Sequence, residues 1–203
     1  MKRILSLSFA LLGFSLNVYS MEIINTKDRQ LDIGAQAQLF GVAQNVKDPV
    51  DYDMRLYLFL KQARLNMLGR FDDYAYHFQL AFGGEEEVKD KNVSVGLLDF
   101  SVDVPISNSL RLKAGQFNVP FGRERITASK YLLFAERSIQ NLAFRMGRDV
   151  GAALHGYFDN HVAATVGVFT GGGRDIPLRF IPQKLGSPLV AVRAGINKNM
   201  DKD

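Results

Sequence analysis

Apolar and polar residues alternate along most of this chain with a period of two. Leu31, Ile33, Ala35, Ala37 and Leu39 interleave with Asp32, Gly34, Gln36, Gln38 and Phe40, the pattern of a strand with one apolar face. Tyr74, Tyr76, Phe78, Leu80 and Phe82 do the same with Ala75, His77, Gln79 and Ala81. So do Val162, Ala164, Val166 and Val168 with His161, Ala163, Thr165 and Gly167, and Val190, Val192, Ala194 and Ile196 with Ala191, Arg193, Gly195 and Asn197. Segments 55–71, 93–104, 109–117 and 145–158 alternate less cleanly. Phase changes near Lys61 and at Leu97-Leu98 predict β-bulges there. The whole predicts about eight strands of an all-β fold.

The connections sort into two kinds. Short ones fall at Asp72-Asp73, at Pro105–Ser109 and at Asp159-Asn160; long ones fall at Val42–Asp53, Gly84–Asn92, Asn118–Phe144 and Gly171–Ser187. Tight turns at one end and long loops at the other characterise an antiparallel transmembrane β-barrel of the outer-membrane type. Beyond Met21 no apolar run is long enough for a spanning helix, so strands are the only way this chain can cross a bilayer.

The amino terminus has a different texture. Lys2 and Arg3 precede an apolar run from Ile4 to Leu16, and small Ser20 stands before Met21, which predicts a secretory signal peptide over residues 1–20 and a mature barrel segment over 21–203. The 25 basic and 21 acidic residues give a net charge of +4, which falls to +2 without Lys2 and Arg3. That surplus is too small for a nucleic-acid surface. An exported chain with no cysteine must rely on packing and backbone pairing alone.

On the polar face the same alternation places Gln36, Gln38, Arg64, Asn66, Arg70, Gln79, Asp99, Ser101, Asp103, Arg111, Lys113 and Arg193 opposite apolar neighbours, a set suited to a wet lumen. Arg64, Arg70, Arg111, Lys113 and Arg193 supply positive charge there, against Asp32, Asp99, Asp103 and Asp149. Arg123 and Arg125 join the cations if the third long loop folds inward. These seven cations are the expected pore-lining, anion-binding residues, since guanidinium and ammonium groups both recognise phosphate-like oxyanions. Phe71, Tyr74, Tyr76, Phe100 and Phe158 suit an interfacial girdle.

Other chemistry finds little footing. His77, His155 and His161 lack metal-ligand spacing, Gly171–Arg174 lacks the Lys-Ser/Thr of a phosphate cradle, and no serine stands in a nucleophile-elbow context. Glu85–Glu87 reads as a solvated loop tip that could hold a divalent cation near lipopolysaccharide. No catalytic residue, metal or cofactor is therefore expected.

The segments "FLKQARLNMLGRF" (Phe59–Phe71), "LLDFSVDV" (Leu97–Val104), "LRLKAGQFNVPFGRERITASKYLLFAERS" (Leu110–Ser138) and "RDVGAALHGYF" (Arg148–Phe158) resemble the phosphate- and polyphosphate-selective porin family. The most specific block is "GQFNVPFG", Gly115–Gly122, followed by Glu136–Ser138. The resemblance implies a sixteen-stranded, usually trimeric outer-membrane barrel whose inward loop and lumenal Arg and Lys residues draw anions through. Asn118 stands where that family pattern leads one to expect a lysine. The expected function is a passive, anion-preferring channel in contact with outer-membrane lipid and lipopolysaccharide. The alternative is an exported small β-barrel that binds a ligand or adheres to a partner without channel activity. The polar ending "INKNMDKD" favours the first half of a longer barrel.

Overall fold

A computed structural model describes residues 9–47, 52–82, 95–127, 138, 147–158, 162–172 and 187–196. They form one nine-stranded antiparallel sheet in simple chain order. The strands are β1 (Phe9–Asn25), β2 (Arg29–Lys47), β3 (Tyr52–Phe71), β4 (Tyr74–Phe82), β5 (Val95–Ser107), β6 (Leu110–Asn118), β7 (Arg148–Phe158), β8 (Val162–Phe169) and β9 (Leu189–Ile196). A single helical turn, α1 (Arg123–Ile126), follows β6. Among the described residues no helix is long and apolar enough to cross a membrane. The described sheet is open, with β1 and β9 at its edges.

All eight segments read from the sequence are strands, and the ninth is β1. It pairs with β2 from Phe9↔Gln44 to Asn25↔Gln30, so from Phe9 onward the segment read as a leader continues the sheet. The connection expected over Val42–Asp53 is much shorter: β2 and β3 stay in register as far as Lys47↔Tyr52. Alternation of Leu56, Leu58 and Leu60 with their neighbours carries pairing past the point where polar residues accumulate.

Both predicted bulges are present. Gln38 pairs with Gln62 and Leu39 with Leu60, which leaves Lys61 as the extra residue. Gln79 pairs with Asp99 and Leu80 with Leu97, which leaves Leu98. Each extra residue shifts the side-chain phase by one. The shift at Lys61 keeps Leu60, Leu58 and Leu56 on the face of Leu65 and Met67; that at Leu98 keeps Leu97 and Val95 on the face of Phe100 and Val102.

The outcome is a sheet with two unlike faces. Leu58, Phe100, Val102, Leu154, Val166, Val168, Val190 and Val192 stand exposed on one, with Leu58 at 77% and Val192 at 68%. A contiguous apolar face of this kind is unstable in water and suited to lipid. Turns at Asp72-Asp73 and Asn108-Ser109 and the short β1–β2 and β7–β8 connections share one end. Asp72 adopts a left-handed φ of 51°, which a short acidic side chain tolerates. Phe71, Tyr74, Tyr76 and Phe158 are exposed near that end, and the Arg29 guanidinium lies 5.0 Å from the Phe71 ring centroid.

Deletion of Lys61 removes the extra residue and with it the first bulge, and plain alternation then keeps Leu56, Leu58 and Leu60 on the face of Leu65 and Met67. The expected result is a variant that keeps the compact, heat-modifiable form on unheated gels. Loss of that form on deleting Lys61 contradicts this account of the phase change.

Candidate functional site

The second face is polar where β2 to β6 form it. Strand register aligns Gln36 with Arg64, Asn66 with Gln79 and Gln79 with Asp99, so residues scattered over the sequence make one continuous patch. Gln79 Nε2 donates to Asn66 Oδ1. Arg148, the first residue of β7, reaches across to this patch: its Nε donates to Asp99 Oδ1 at 3.1 Å, and its Nη2 to Asp99 Oδ2 at 3.2 Å and to Gln79 Oε1 at 3.0 Å. The two-pronged geometry fixes both guanidinium and carboxylate. One arginine thereby joins three strands, β4, β5 and β7, and Gln79 links them to β3.

Nearer the tight turns lies a second cluster. Asp103 Oδ1 accepts from Arg111 Nε, and its Oδ2 lies 3.0 Å from His155 Nε2. Arg111 Nη2 also donates to the Asp73 carbonyl at 2.8 Å, which ties β6 to the β3–β4 turn. Lys113 pairs in register with Asp103, and its Nζ lies 5.1 Å from the Phe117 ring centroid, a cation–π arrangement.

Toward the long loops the same face becomes apolar. Phe117, Val119, Ala153, Phe169 and Ala191 pack together with Leu189 beside them, and the rings of Phe117 and Phe169 meet edge to face at 5.4 Å. Val119 is only 1% exposed, so the chain leaving β6 turns toward this face. The turn is built by Val119 N donating to Gly147 O at 3.1 Å and Phe121 N to Val119 O at 2.8 Å, the latter closing a three-residue turn around Pro120. Gly122 then precedes α1, where Thr127 N donates to Arg123 O at 3.0 Å.

Two residues of the "GQFNVPFG" block acquire clear local roles. Gly115 has φ of 125°, and a Cβ there would collide with the Phe100 carbonyl, so only glycine lets β6 approach β5 this closely. Register pairing of β5 with β6 ends at Phe100↔Gln116. Beyond it the Gln116 amide donates to both the Leu97 and Leu98 carbonyls at 2.9 Å, satisfying backbone acceptors beside the Leu98 bulge that β6 no longer reaches.

The seven cations expected at the site are placed differently from one another. Arg64 is buried beside Gln36; Arg70 is exposed and pairs with Ala75 at the turn end. Arg111 and Lys113 occupy the Asp103 cluster, and Arg193 pairs with Thr165 on the same face. Arg123 is exposed on α1. The Arg125 side chain lies outside the described residues. Lys130, Arg137 and Arg145, and with them most of the third loop, also lie outside.

Asp149, read from the sequence as a lumenal charge, is 1% exposed and serves the backbone instead. Its carboxylate accepts from Val150 N at 2.8 Å, Thr170 Oγ1 at 2.5 Å and Gly171 N at 2.7 Å, which pins the end of β8 to the start of β7. Sequence reasoning missed Arg148 as a site residue. Its one visible signal was its place before an alternating run, and nothing local reports that it spans to β4 and β5.

An antiparallel meander with one apolar and one ionic face is the construction of a porin wall. The family model described as phosphate-selective porin O and P matches residues 33–175, and the chain belongs to that family. No curated protein and no solved structure matches it.

Replacing Arg148 with Gln strands the Asp99 carboxylate at a site where it is 3% exposed. An uncompensated buried charge of this kind costs about 3–5 kcal/mol. Asp99→Asn on top of Arg148→Gln should recover part of that loss, measured as a double-mutant cycle by urea unfolding in detergent. Strictly additive losses would show that the pair is not coupled.

Proposed function

We propose that this chain forms part of the wall of an outer-membrane channel through which small anions, phosphate among them, diffuse passively. The observation that carries the reading is the segregation of the two faces. Leu112 and Ala114 alternate with Arg111 and Lys113, and a lysine or arginine facing lipid near mid-bilayer costs about 2–4 kcal/mol. The ionic face must therefore meet water, and a water-filled lumen provides it. Family membership supports phosphate as a solute.

Arg64, Arg70, Arg111, Lys113 and Arg193 are the lumenal cations in this reading, joined by Arg148. Arg123 and Arg125 are assigned to the same lumen in this reading because the first residues of the third loop turn toward that face. Two lumenal carboxylates are engaged, Asp99 by Arg148 and Asp103 by Arg111 and His155. Cations not held in such pairs tilt the field toward anions.

The free edges at β1 and β9 call for further strands, and the sixteen-stranded trimer implied by the sequence resemblance supplies them in outer-membrane lipid and lipopolysaccharide. Residues 1–20 are removed on export; cleavage after Ser20 leaves Met21–Asn25 paired with β2 through Met21↔Ile33 and Asn25↔Gln30.

Reversal potentials of the full protein, purified from outer membranes with its amino terminus at Met21 and placed in planar bilayers under a salt gradient, test this reading. The channel should prefer anions. Lys113→Glu should lower the anion-to-cation permeability ratio, more strongly at low salt where the charge is less screened, and Arg123→Glu should act in the same direction. A cation-preferring parent channel, or reversal potentials unchanged by both substitutions, contradicts the assignment.

A further inference from the structure

Register sets residues far apart in sequence at one height on the ionic face. Pro105 pairs with Arg111, Arg111 with His155, His155 with Thr165 and Thr165 with Arg193. Neighbouring strands lie about 4.8 Å apart, so Arg111 and Arg193 are separated by roughly 14 Å with His155 between them. Asp103, one step farther from the turns and in register with Lys113, bonds to Arg111 through one oxygen and meets His155 through the other.

The surroundings of His155 are therefore specific. From β5 it faces Asp103; from β6, Arg111 and Lys113; from β8, uncharged Thr165; from β9, one strand farther, Arg193. On its own strand Tyr157 lies 6.1 Å away between ring centroids. On the β4 side His77 pairs with Ser101, and the Asp73 carbonyl already holds Arg111. Its imidazole side chain is 18% exposed and that of Asp103 is 19% exposed, so protons can reach them.

We propose that His155 is a selectivity-determining residue whose protonation adds a positive charge to this row, so that anion preference rises as pH falls. The proposal rests on the reading of this chain as a channel wall. With His155 neutral, Nε2–H donates to Asp103, and the Asp103 and Arg111 charges cancel. A proton added at Nδ1 brings the three-residue cluster from zero to +1 without moving a side chain, because Asp103 already holds the ring in place. The new charge lies between Arg111 and Arg193, where an anion crossing the row meets a continuous positive band.

The test compares parent, His155→Gln and His77→Gln channels of the full protein in planar bilayers, with potassium chloride gradients at low ionic strength. Gln at position 155 retains a donor for Asp103 but cannot take a proton. For the parent, the chloride-to-potassium permeability ratio should rise about twofold between about pH 8 and about pH 5.5. His155→Gln should remove most of that rise, and His77→Gln should keep it. Asp103→Asn should raise the ratio across the whole range. A conducting parent whose ratio is flat with pH, or a His155→Gln channel that titrates like the parent, overturns the proposal. Absence of any current from the parent instead removes the channel reading on which it rests.

Discussion

Everything in this structure depends on pairing backbone donors and acceptors between neighbouring strands, in the environment where failing to do so is most costly. In hydrocarbon no water satisfies an open N–H or C=O, so a chain that crosses as strands must place every such group in a ladder. The antiparallel ladder forces successive side chains to opposite faces, and that period of two makes lipid and solute surfaces from the same residues of the same strand. The two bulges show how strict the requirement is. Where the sequence slips phase, at Lys61 and Leu98, the backbone takes up an extra residue and keeps leucines with leucines. Where β6 stops covering β5, the Gln116 amide takes the place of the missing strand at the Leu97 and Leu98 carbonyls.

Charge on the ionic face follows from the same ladder. Register brings Asp99 beside Gln79 and Asn66, and Asp103 beside Lys113 and Arg111, so carboxylates become counter-ions within the wall. In the proposed channel this division has a functional meaning. A surface of unpaired arginines would bind an oxyanion tightly and release it slowly, whereas cations partly offset by fixed carboxylates attract without trapping. Arg148 and Asp149, adjacent in sequence, turn to opposite tasks: Arg148 fastens β7 to β4 and β5, and Asp149 fastens the end of β8.

Much of this was legible in the sequence because the controlling signal is local. Alternation located all of β2 to β9, the phase slips gave the bulges, and loop lengths separated the two ends of the sheet. The "GQFNVPFG" block marked the departure of the chain from β6. What was not legible depends on register, which the sequence does not display. Arg148 gave no local sign of its partners forty-nine and sixty-nine residues away. Asp149 looked like Asp99 and Asp103 by composition, yet its donors are Val150 N in β7 and Thr170 Oγ1 and Gly171 N just after β8. The extent of the β2–β3 ladder was missed because Val42–Asp53 reads as loop chemistry, and pairing in register as far as Lys47↔Tyr52 outweighed that composition.

The central claim is that one face of the sheet meets water and the other meets lipid. The absence of cysteine from the chain provides a clean background for single-cysteine labelling of the membrane-embedded protein with a small, charged, membrane-impermeant thiol reagent. Lys113→Cys and Arg193→Cys should be modified rapidly, and Leu112→Cys and Val192→Cys should resist. Equal labelling at adjacent positions, or faster labelling at Leu112→Cys and Val192→Cys, would contradict the assignment of the ionic face to an aqueous pore.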